Sequence, residues 1–181
     1  MGDKKYRSDY KTVKHIDPAT GKEEKRLIYT GEYYSLNIDA RARRLRSLAL
    51  GGCFALGMAG FLMAGLVNST AAHTLLISMP HMFALLAIAF LAVCSLRLWR
   101  LKERFTRKAR DQALQTVKGA GYALTGLSGI ALAGDAYVQL SGKGSAVEGY
   151  ALAGFALMLL SGILSLLAMK DVGARMVDKG L

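Results

Sequence analysis

Two long stretches of the chain consist almost entirely of apolar and small residues. Residues 47–96 contain no Asp, Glu, Lys or Arg, and residues 119–169 contain only Asp135, Lys143 and Glu148. A helix that crosses the hydrocarbon core of a bilayer needs about 20 apolar residues, and ordinary soluble domains do not contain uncharged stretches of this length. The pattern therefore excludes a soluble fold and predicts an integral membrane protein.

Short polar segments divide these two stretches into four helical windows. The connections between the windows are short, which predicts that consecutive helices lie side by side and antiparallel. We therefore expect an all-α membrane protein whose transmembrane domain, residues 45–169, is an antiparallel bundle of four transmembrane helices. The expected spans are about 45–67, 79–98, 119–138 and 147–169.

The start of the second span depends on Pro80. If Ser78 caps the helix, Pro80 falls in the first turn, where its missing N–H costs little. A start near Leu75 would place Pro80 inside the helix and kink it. We expect the first arrangement, in which the span begins at about Met79.

The basic residues are distributed very unevenly. The chain has 24 Lys and Arg residues against 13 Asp and Glu residues, a formal net charge of +11. Residues 1–46 carry 12 of the basic residues, residues 97–118 carry 8 and residues 170–181 carry 3, which accounts for every basic residue except Lys143. Cytoplasmic flanks carry such an excess of Lys and Arg. We therefore expect a cytoplasmic N-terminal region (1–44), a cytoplasmic basic connection (99–118) and a cytoplasmic tail (170–181).

The segment before the first span also bears on location. It consists of 46 mostly polar residues, so no apolar signal sequence precedes the span. This favours the plasma membrane of a bacterium, with both chain termini in the cytoplasm.

Residues 10–30 have the pattern of a β-hairpin. Thr12–Ile16 alternates polar and apolar residues, Asp17–Gly21 contains the Pro and Gly of a turn, and Arg26–Tyr29 is strand-like. We expect a small N-terminal cytoplasmic hairpin. It would pack on the loops of the bundle, on a second copy or on a partner, because an isolated hairpin is marginally stable in water. The alternative is a tail that becomes ordered only on contact.

The basic connection contains neither Pro nor Gly. We expect the second helix to continue through residues 97–118 as an amphipathic surface helix that touches lipid or a partner. Glu103 and Arg107 would then pair across one helical turn. A nucleic-acid patch is the sharper alternative, but the positive-inside bias already explains these charges, so we expect no nucleic-acid partner.

A set of cationic and aromatic residues lies where the first two spans meet the cytoplasm. Each Lys or Arg near anionic lipid contributes about 1 kcal/mol, and Trp is enriched at membrane interfaces. We expect these residues to anchor the helices to anionic headgroups, and a specific headgroup site is the alternative. The set comprises Arg41, Arg43, Arg44, Arg46, Trp99 and Arg100.

Glycines of the first and third spans share the spacing 5-3-5. Small residues let neighbouring helices approach closely, so we expect these two helices to form the central pair of the bundle. The constant shift of 69 residues between the two sets suggests a tandem duplication of a helical hairpin; coincidence in a sequence rich in Ala, Gly and Leu is the alternative. The glycines are Gly52, Gly57, Gly60 and Gly65, and Gly121, Gly126, Gly129 and Gly134.

Ionisable residues within or beside the spans are the candidate functional residues. Asp135 lies near the outer end of the third span and Glu148 begins the fourth, while His73 and His81 flank the outer end of the second. Together the four could form an outward-facing polar site for a cation or a zwitterion; the alternative is four interfacial residues wetted by solvent. Their spacing matches no metal motif, and we expect neither a metal nor a cofactor.

The sequence contains no recognisable catalytic pattern. We expect a non-catalytic protein of the plasma membrane that acts as a subunit, scaffold or accessory of a membrane assembly, by self-association or with another membrane protein. The alternative is a small oligomeric transporter or channel with Asp135 at its outer mouth. A membrane lipid-modifying enzyme is the third class, for which the cytoplasmic face offers few bases or metal ligands.

Overall fold

The chain folds into a bundle of four long helices with two small β-sheets. The computed structural model describes residues 4–16, 23–67, 73–143 and 148–179. The α-helices are α1 (Ala40–Leu66), α2 (Leu75–Arg100), α3 (Arg107–Arg110), α4 (Thr116–Val138) and α5 (Glu148–Ala168). A π-helical stretch, Asp111–Gln115, connects the short α3 to α4. A second π-helical stretch, Gln139–Lys143, follows α4.

The four long helices form a ring. Helix α1 packs on α2 and α5, and α4 packs on the same two helices, so that α1 and α4 lie diagonally opposite. The expectation that α1 and α4 form the central pair is therefore wrong. Buried apolar side chains fill the space between the helices, including Ile88, Leu91, Leu124 and Met158.

Three of the long helices have the length and apolar character needed to cross a membrane: α1, α2 and α5. Helix α4 does not meet this criterion, which corrects the predicted number of spans from four to three. The reason is composition, because α4 contains five glycines together with Thr125, Ser128 and Asp135. It is the polar member of the bundle, although it lies along α2 and α5.

Helix α2 begins four residues earlier than expected. It starts at Leu75, so Pro80 lies inside the helix, and the predicted start at Met79 is wrong. The N–H groups of Ile77 and Ser78 both donate to the Thr74 carbonyl, at 2.9 Å. The early start lets Ile77 pack directly over Gly134 of α4, and Ile77 is 1% exposed. Burial of this side chain offsets the hydrogen bond that Pro80 cannot make.

The small N-terminal β-hairpin is confirmed. Strands β1 (Tyr10–Ile16) and β2 (Glu23–Tyr29) pair antiparallel, with Thr12 opposite Leu27. The predicted turn, Asp17–Gly21, lies outside the described residues.

A second sheet joins three segments that are far apart in the sequence. Strand β3 (Glu32–Leu36) lies between β4 (Phe105–Thr106) and β5 (Ala174–Lys179) and pairs antiparallel with both. The segments before α1, after α2 and after α5 therefore lie at the same end of the bundle. We call this the basic end, because these segments and the adjoining turns of α1, α2 and α4 carry most of the Lys and Arg residues.

The basic connection is not a continuous helix. Helix α2 ends at Arg100, and Leu101 is extended, with φ −65° and ψ 129°. The chain then forms β4, in which Phe105 is buried and pairs with Tyr34. Pairing and burial outweigh the local helical preference, so the helical pair expected of Glu103 and Arg107 does not form.

Helix α5 approaches both of its neighbours through glycine. A Cβ atom on Gly154 would lie 2.7 Å from the backbone N of Ala64 and from the backbone O of Gly60. A Cβ atom on Gly162 would lie 2.9 Å from the backbone N of Thr125. Neither α5 glycine was among the expected packing residues. The signal in the sequence is the series of small residues Ala151, Gly154, Ser161, Gly162 and Ser165 on one side of the helix.

The eight glycines expected to pack helices differ in their surroundings. A Cβ atom would lie closer than 3.0 Å to a neighbouring atom at Gly57, Gly60, Gly121 and Gly134. Gly65 faces His81, Gly129 has only Leu159 at 3.9 Å, and Gly52 and Gly126 face open space. The ring gives α1 and α4 equivalent positions, but Gly57 and Gly126, which correspond in the proposed repeat, do not share an environment. The duplication stays a prediction.

We expect Gly154→Ala to lower the free energy of unfolding by about 1–3 kcal/mol, because the added methyl group forces α1 and α5 apart. Thermal unfolding in detergent measures the effect. The matched control is Gly126→Ala, which adds the same group in open space and removes the conformational cost of glycine in a helix. Equal melting temperatures for the two variants would contradict the proposed close contact.

Candidate functional site

Two acidic side chains meet at the end of the bundle opposite the basic end. Asp135, near the end of α4, and Glu148, the first residue of α5, are both 0% exposed. The two carboxyl groups interact electrostatically. Two like charges held close together in a buried site favour a state in which one of the two groups carries a proton. The pair is thus a place where this part of the bundle can hold a proton.

Gln139 forms a hydrogen bond with Asp135. Its side-chain amide donates to Asp135 Oδ2 at 3.4 Å, one helical turn further along the chain. Asp135 Oδ1 is buried and has no hydrogen-bond partner within the described ranges. The arrangement offers oxygen atoms in an otherwise apolar bundle, which suits a proton or a hard cation.

His81, one of the two predicted histidines, does not line the same place as this pair. His81 lies between the rings of Phe61 and Phe155, at centroid distances of 4.3 and 5.4 Å, and its Nε2 is 3.2 Å from the Phe61 carbonyl oxygen. It lines a cavity of about 370 Å³ to which neither acid contributes. His73 is exposed just before α2. The sequence suggested one site because all four residues lie near the outer ends of the predicted spans. In the structure, the packing of His81 between two aromatic rings separates it from the two acids.

Metal-ligating side chains are not grouped in the part of the chain that the structure describes. There, no three His, Cys, Asp or Glu residues lie close enough together to hold a metal ion. Cys53 and Cys94 are free and buried.

The residues expected to anchor lipid headgroups lie around the start of α1 and the end of α2. Asp39 caps α1 by accepting from the Ala42 N–H at 2.8 Å. This cap fixes the start of the helix and therefore places the arginines in its first two turns. Arg44 lies over the Trp99 ring, with the guanidinium carbon 6.0 Å from the ring centroid. Arg43 Nε is buried and has no hydrogen-bond partner among the residues described. Arg41 and Arg100 are exposed, and Arg46 borders an apolar cavity between α1 and α5.

The basic end contains a polar cluster that the sequence analysis missed. Asp111, in the π-helical stretch, is 6% exposed. Its Oδ2 accepts from Lys5 Nζ at 3.0 Å and from the Tyr6 hydroxyl at 2.9 Å. Its Oδ1 accepts two bonds from the Arg110 guanidinium, at 2.9 and 3.0 Å. Asp111 therefore ties the N-terminal segment to the start of α4.

The same cluster extends to β3. The Arg110 guanidinium carbon lies 4.3 Å from the centroid of the Tyr34 ring, a cation–π arrangement. The Tyr34 hydroxyl donates to a carboxylate oxygen of Glu32, and this bond raises the pKa of Tyr34. Sequence spacing could not reveal these contacts, because Lys5 and Tyr6 are more than 100 residues from Asp111.

Electrostatics favours the ionised form of Asp111. Burial acts to raise the pKa of this carboxyl, but hydrogen bonds from Lys5, Arg110 and Tyr6 outweigh burial, so the pKa lies below its ordinary value. Burial acts to lower the pKa of Arg110, yet the hydrogen bond to Asp111 and the nearby Tyr34 raise it overall. Both groups are therefore held in their charged forms.

Comparison with known proteins gives no relative: no protein-family model, no curated protein and no solved structure matches this chain.

We expect Asp111→Asn to lower the free energy of unfolding by about 1–3 kcal/mol, because hydrogen bonds to charged donors are weakened and two cations lose their counter-charge. Because the folded pKa of Asp111 is lowered, its contribution is present above pH 3.8, the ordinary value, and is lost as the pH falls through the folded pKa. Unfolding in detergent at pH 7 and at decreasing pH measures both effects.

The matched control for this prediction is Asp171→Asn, since Asp171 is an exposed acid at the same end of the bundle. It should leave stability and its pH dependence unchanged. A destabilisation of Asp111→Asn that is the same at pH 7 and below the folded pKa would contradict a role for the carboxylate charge.

Proposed function

We propose that this chain is a non-catalytic multi-pass membrane protein that acts as a subunit, scaffold or accessory of a membrane assembly. The observation that carries the proposal is the exposed apolar side chains of the β1–β2 hairpin, with Leu27 on one face of the ribbon and Val13 and Ile28 on the other. Leu27 is 72% exposed, Ile28 47% and Val13 44%. Apolar side chains exposed on a two-stranded ribbon are typical of a surface that pairs with another chain.

The hairpin is attached firmly at its stem, which supports a presenting role. The Tyr29 hydroxyl donates to the Glu32 carbonyl at 2.8 Å and accepts from the Arg107 N–H at 3.1 Å. The rings of Tyr10 and Tyr33 pack edge-on against Tyr29, at centroid distances of 5.2 and 5.0 Å. The bundle therefore holds one end of the ribbon in place.

The membrane placement is part of the proposal. The three apolar helices are compatible with a multi-pass protein, and many of their large apolar side chains face outward, among them Leu62, Leu86 and Leu167. The basic end gathers most of the Lys and Arg residues that the structure describes, so we assign it to the cytoplasm by the positive-inside rule. The location would be the plasma membrane of a bacterium, with anionic lipid on the cytoplasmic side.

If the hairpin binds a partner, replacing its apolar side chains should release that partner without unfolding the bundle. We expect the variant Leu27→Ser/Ile28→Ser to recover at least tenfold less of a stoichiometric partner, or to fall from an oligomer to a smaller mass. Purification from the native host in mild detergent, with mass spectrometry and light scattering, measures both.

The control is Lys11→Ser/Lys25→Ser, which changes two exposed residues of the same strands. It should keep the partner or the oligomer. Identical masses and identical co-purifying proteins for the wild type and both variants would sink the proposed role of the hairpin.

A second candidate function rests on the buried pair of Asp135 and Glu148. Buried acids in membrane bundles mark ion and proton pathways, and this supports a small oligomeric transporter or channel with the pair at its outer mouth. The assignment of the pair to the outer side follows from the cytoplasmic placement of the basic end.

We expect Asp135→Asn to reduce proton or cation flux into proteoliposomes at least tenfold under this second function, because the amide cannot bind a proton or carry the charge. Under the subunit function, flux is at background for both the wild type and the variant. Asp171→Asn is the control. Wild-type flux that survives in both Asp135→Asn and Glu148→Gln would rule out the acid pair as its pathway.

A further inference from the structure

A groove opens at the basic end between the last turns of α2 and the segment that leads into α4. Its volume is about 570 Å³. Its floor is apolar and includes Val93, Leu96 and Phe105. Its rim carries four cations, which are Arg97, Arg100, Lys102 and Arg104.

The charge of this groove is not balanced by the protein. No Asp or Glu lines the groove, and within the described ranges none of the four cations forms an ion pair. Glu103, between two of them in the chain, lines a neighbouring depression together with Arg104 and Arg175, and among the described residues it forms no ion pair with Arg104. The groove therefore presents a concentrated positive charge beside an apolar floor.

A second, apolar cavity, which we call the furrow, follows the groove along α2. A cavity of about 420 Å³ lies between α2 and α4, lined by Phe83, Leu86 and Phe90 on one side and by Gly119, Ala123 and Leu127 on the other. On α2 the lining positions 83, 86, 90, 93, 97 and 100 follow alternating spacings of three and four. They form one stripe along the helix, which is apolar for three turns and then basic.

The length of the apolar part of the stripe matches one lipid leaflet. Phe83 and Val93 are ten residues apart, about 15 Å along a helix that rises 1.5 Å per residue. The hydrocarbon core of a bilayer is about 30 Å thick, so one leaflet contributes about 15 Å. Phe83, Phe90 and Val93 are all exposed, and Gly119 leaves open space beside them.

We propose that the groove and furrow together bind one anionic phospholipid, with its phosphate among the four cations and an acyl chain along the α2–α4 furrow. A free phosphate would use only the rim, and a neutral lipid would use only the furrow. An anionic phospholipid matches both the charge and the apolar length. The proposal rests on the membrane placement proposed above, but not on the partner or transport functions.

The test is a titration of the full chain, purified in a neutral detergent, with phosphatidylglycerol. Native mass spectrometry counts the bound lipids. We expect one tight phosphatidylglycerol and weaker phosphatidylcholine. Arg97→Gln/Arg100→Gln should weaken the tight binding roughly 30-fold, as expected for two cations near anionic lipid. Arg7→Gln/Lys170→Gln removes the same charge from two exposed residues at the same end of the bundle and should change binding less than threefold.

A second variant tests the furrow separately from the charge. Gly119→Leu fills the furrow, and no protein atom lies within 4 Å of the added Cβ, so we expect it to fold and to bind the lipid at least tenfold more weakly. Gly149→Leu, which also points into open space but lies at the opposite end, should bind as the wild type does. Melting temperatures verify folding, and Arg97→Lys/Arg100→Lys, which keeps the charge, should retain binding if the glutamine variant fails to fold.

Four results would overturn the proposal. Equal loss of binding in the two paired charge variants would mean diffuse surface attraction. Equal binding of phosphatidylcholine, or unchanged binding in Gly119→Leu, would mean that the groove and furrow do not act together. Displacement of phosphatidylglycerol by equimolar inorganic phosphate would mean a site for free phosphate. A chain that needs no detergent to stay monodisperse would instead contradict the membrane placement, which separates the two failures.

Discussion

The bundle depends on two glycines of α5 that face neighbouring helices. Gly154 lets α5 meet α1 at backbone distance, and Gly162 does the same for α4. Inside a membrane, burial of apolar surface gives little net attraction between helices, so close packing and hydrogen bonds decide how they associate. The Ser161 hydroxyl, between these glycines in the chain, donates to the Cys53 carbonyl of α1 at 2.6 Å. Helix α5 therefore determines where its two neighbours lie, and α2 closes the ring.

The basic end is organised around a different interaction. Strand β3 pairs with strands from two distant parts of the chain, and Asp111 ties the N-terminal segment to the same region. These contacts leave α2 to end at Arg100, and the cationic groove opens there beside the exposed apolar stripe of α2. The proposed lipid site is thus a consequence of how the chain closes this end.

The two ends of the bundle differ in charge and in chemistry. The basic end combines exposed cations, an exposed hairpin and a charged carboxylate, whereas the opposite end holds two buried carboxyl groups. A partner-binding hairpin and a lipid groove both fit a protein that holds an assembly at the cytoplasmic surface. The acid pair is the feature that such a role does not require, and it is the reason that a transport function stays a second candidate.

The sequence by itself determined the features that depend on local composition. Uncharged windows predicted the long helices, the alternation of Thr12–Ile16 predicted the hairpin, and Asp135 and Glu148 stood out because charges are rare there. The tertiary structure decided what depends on contacts between distant residues. Burial of Ile77 set the start of α2, pairing of Phe105 with Tyr34 ended the helix after Arg100, and the aromatic pocket of His81 separated it from the acids. Gly154 and Gly162 differ from Gly126 only in what lies opposite them, and a single helix sequence does not contain that information.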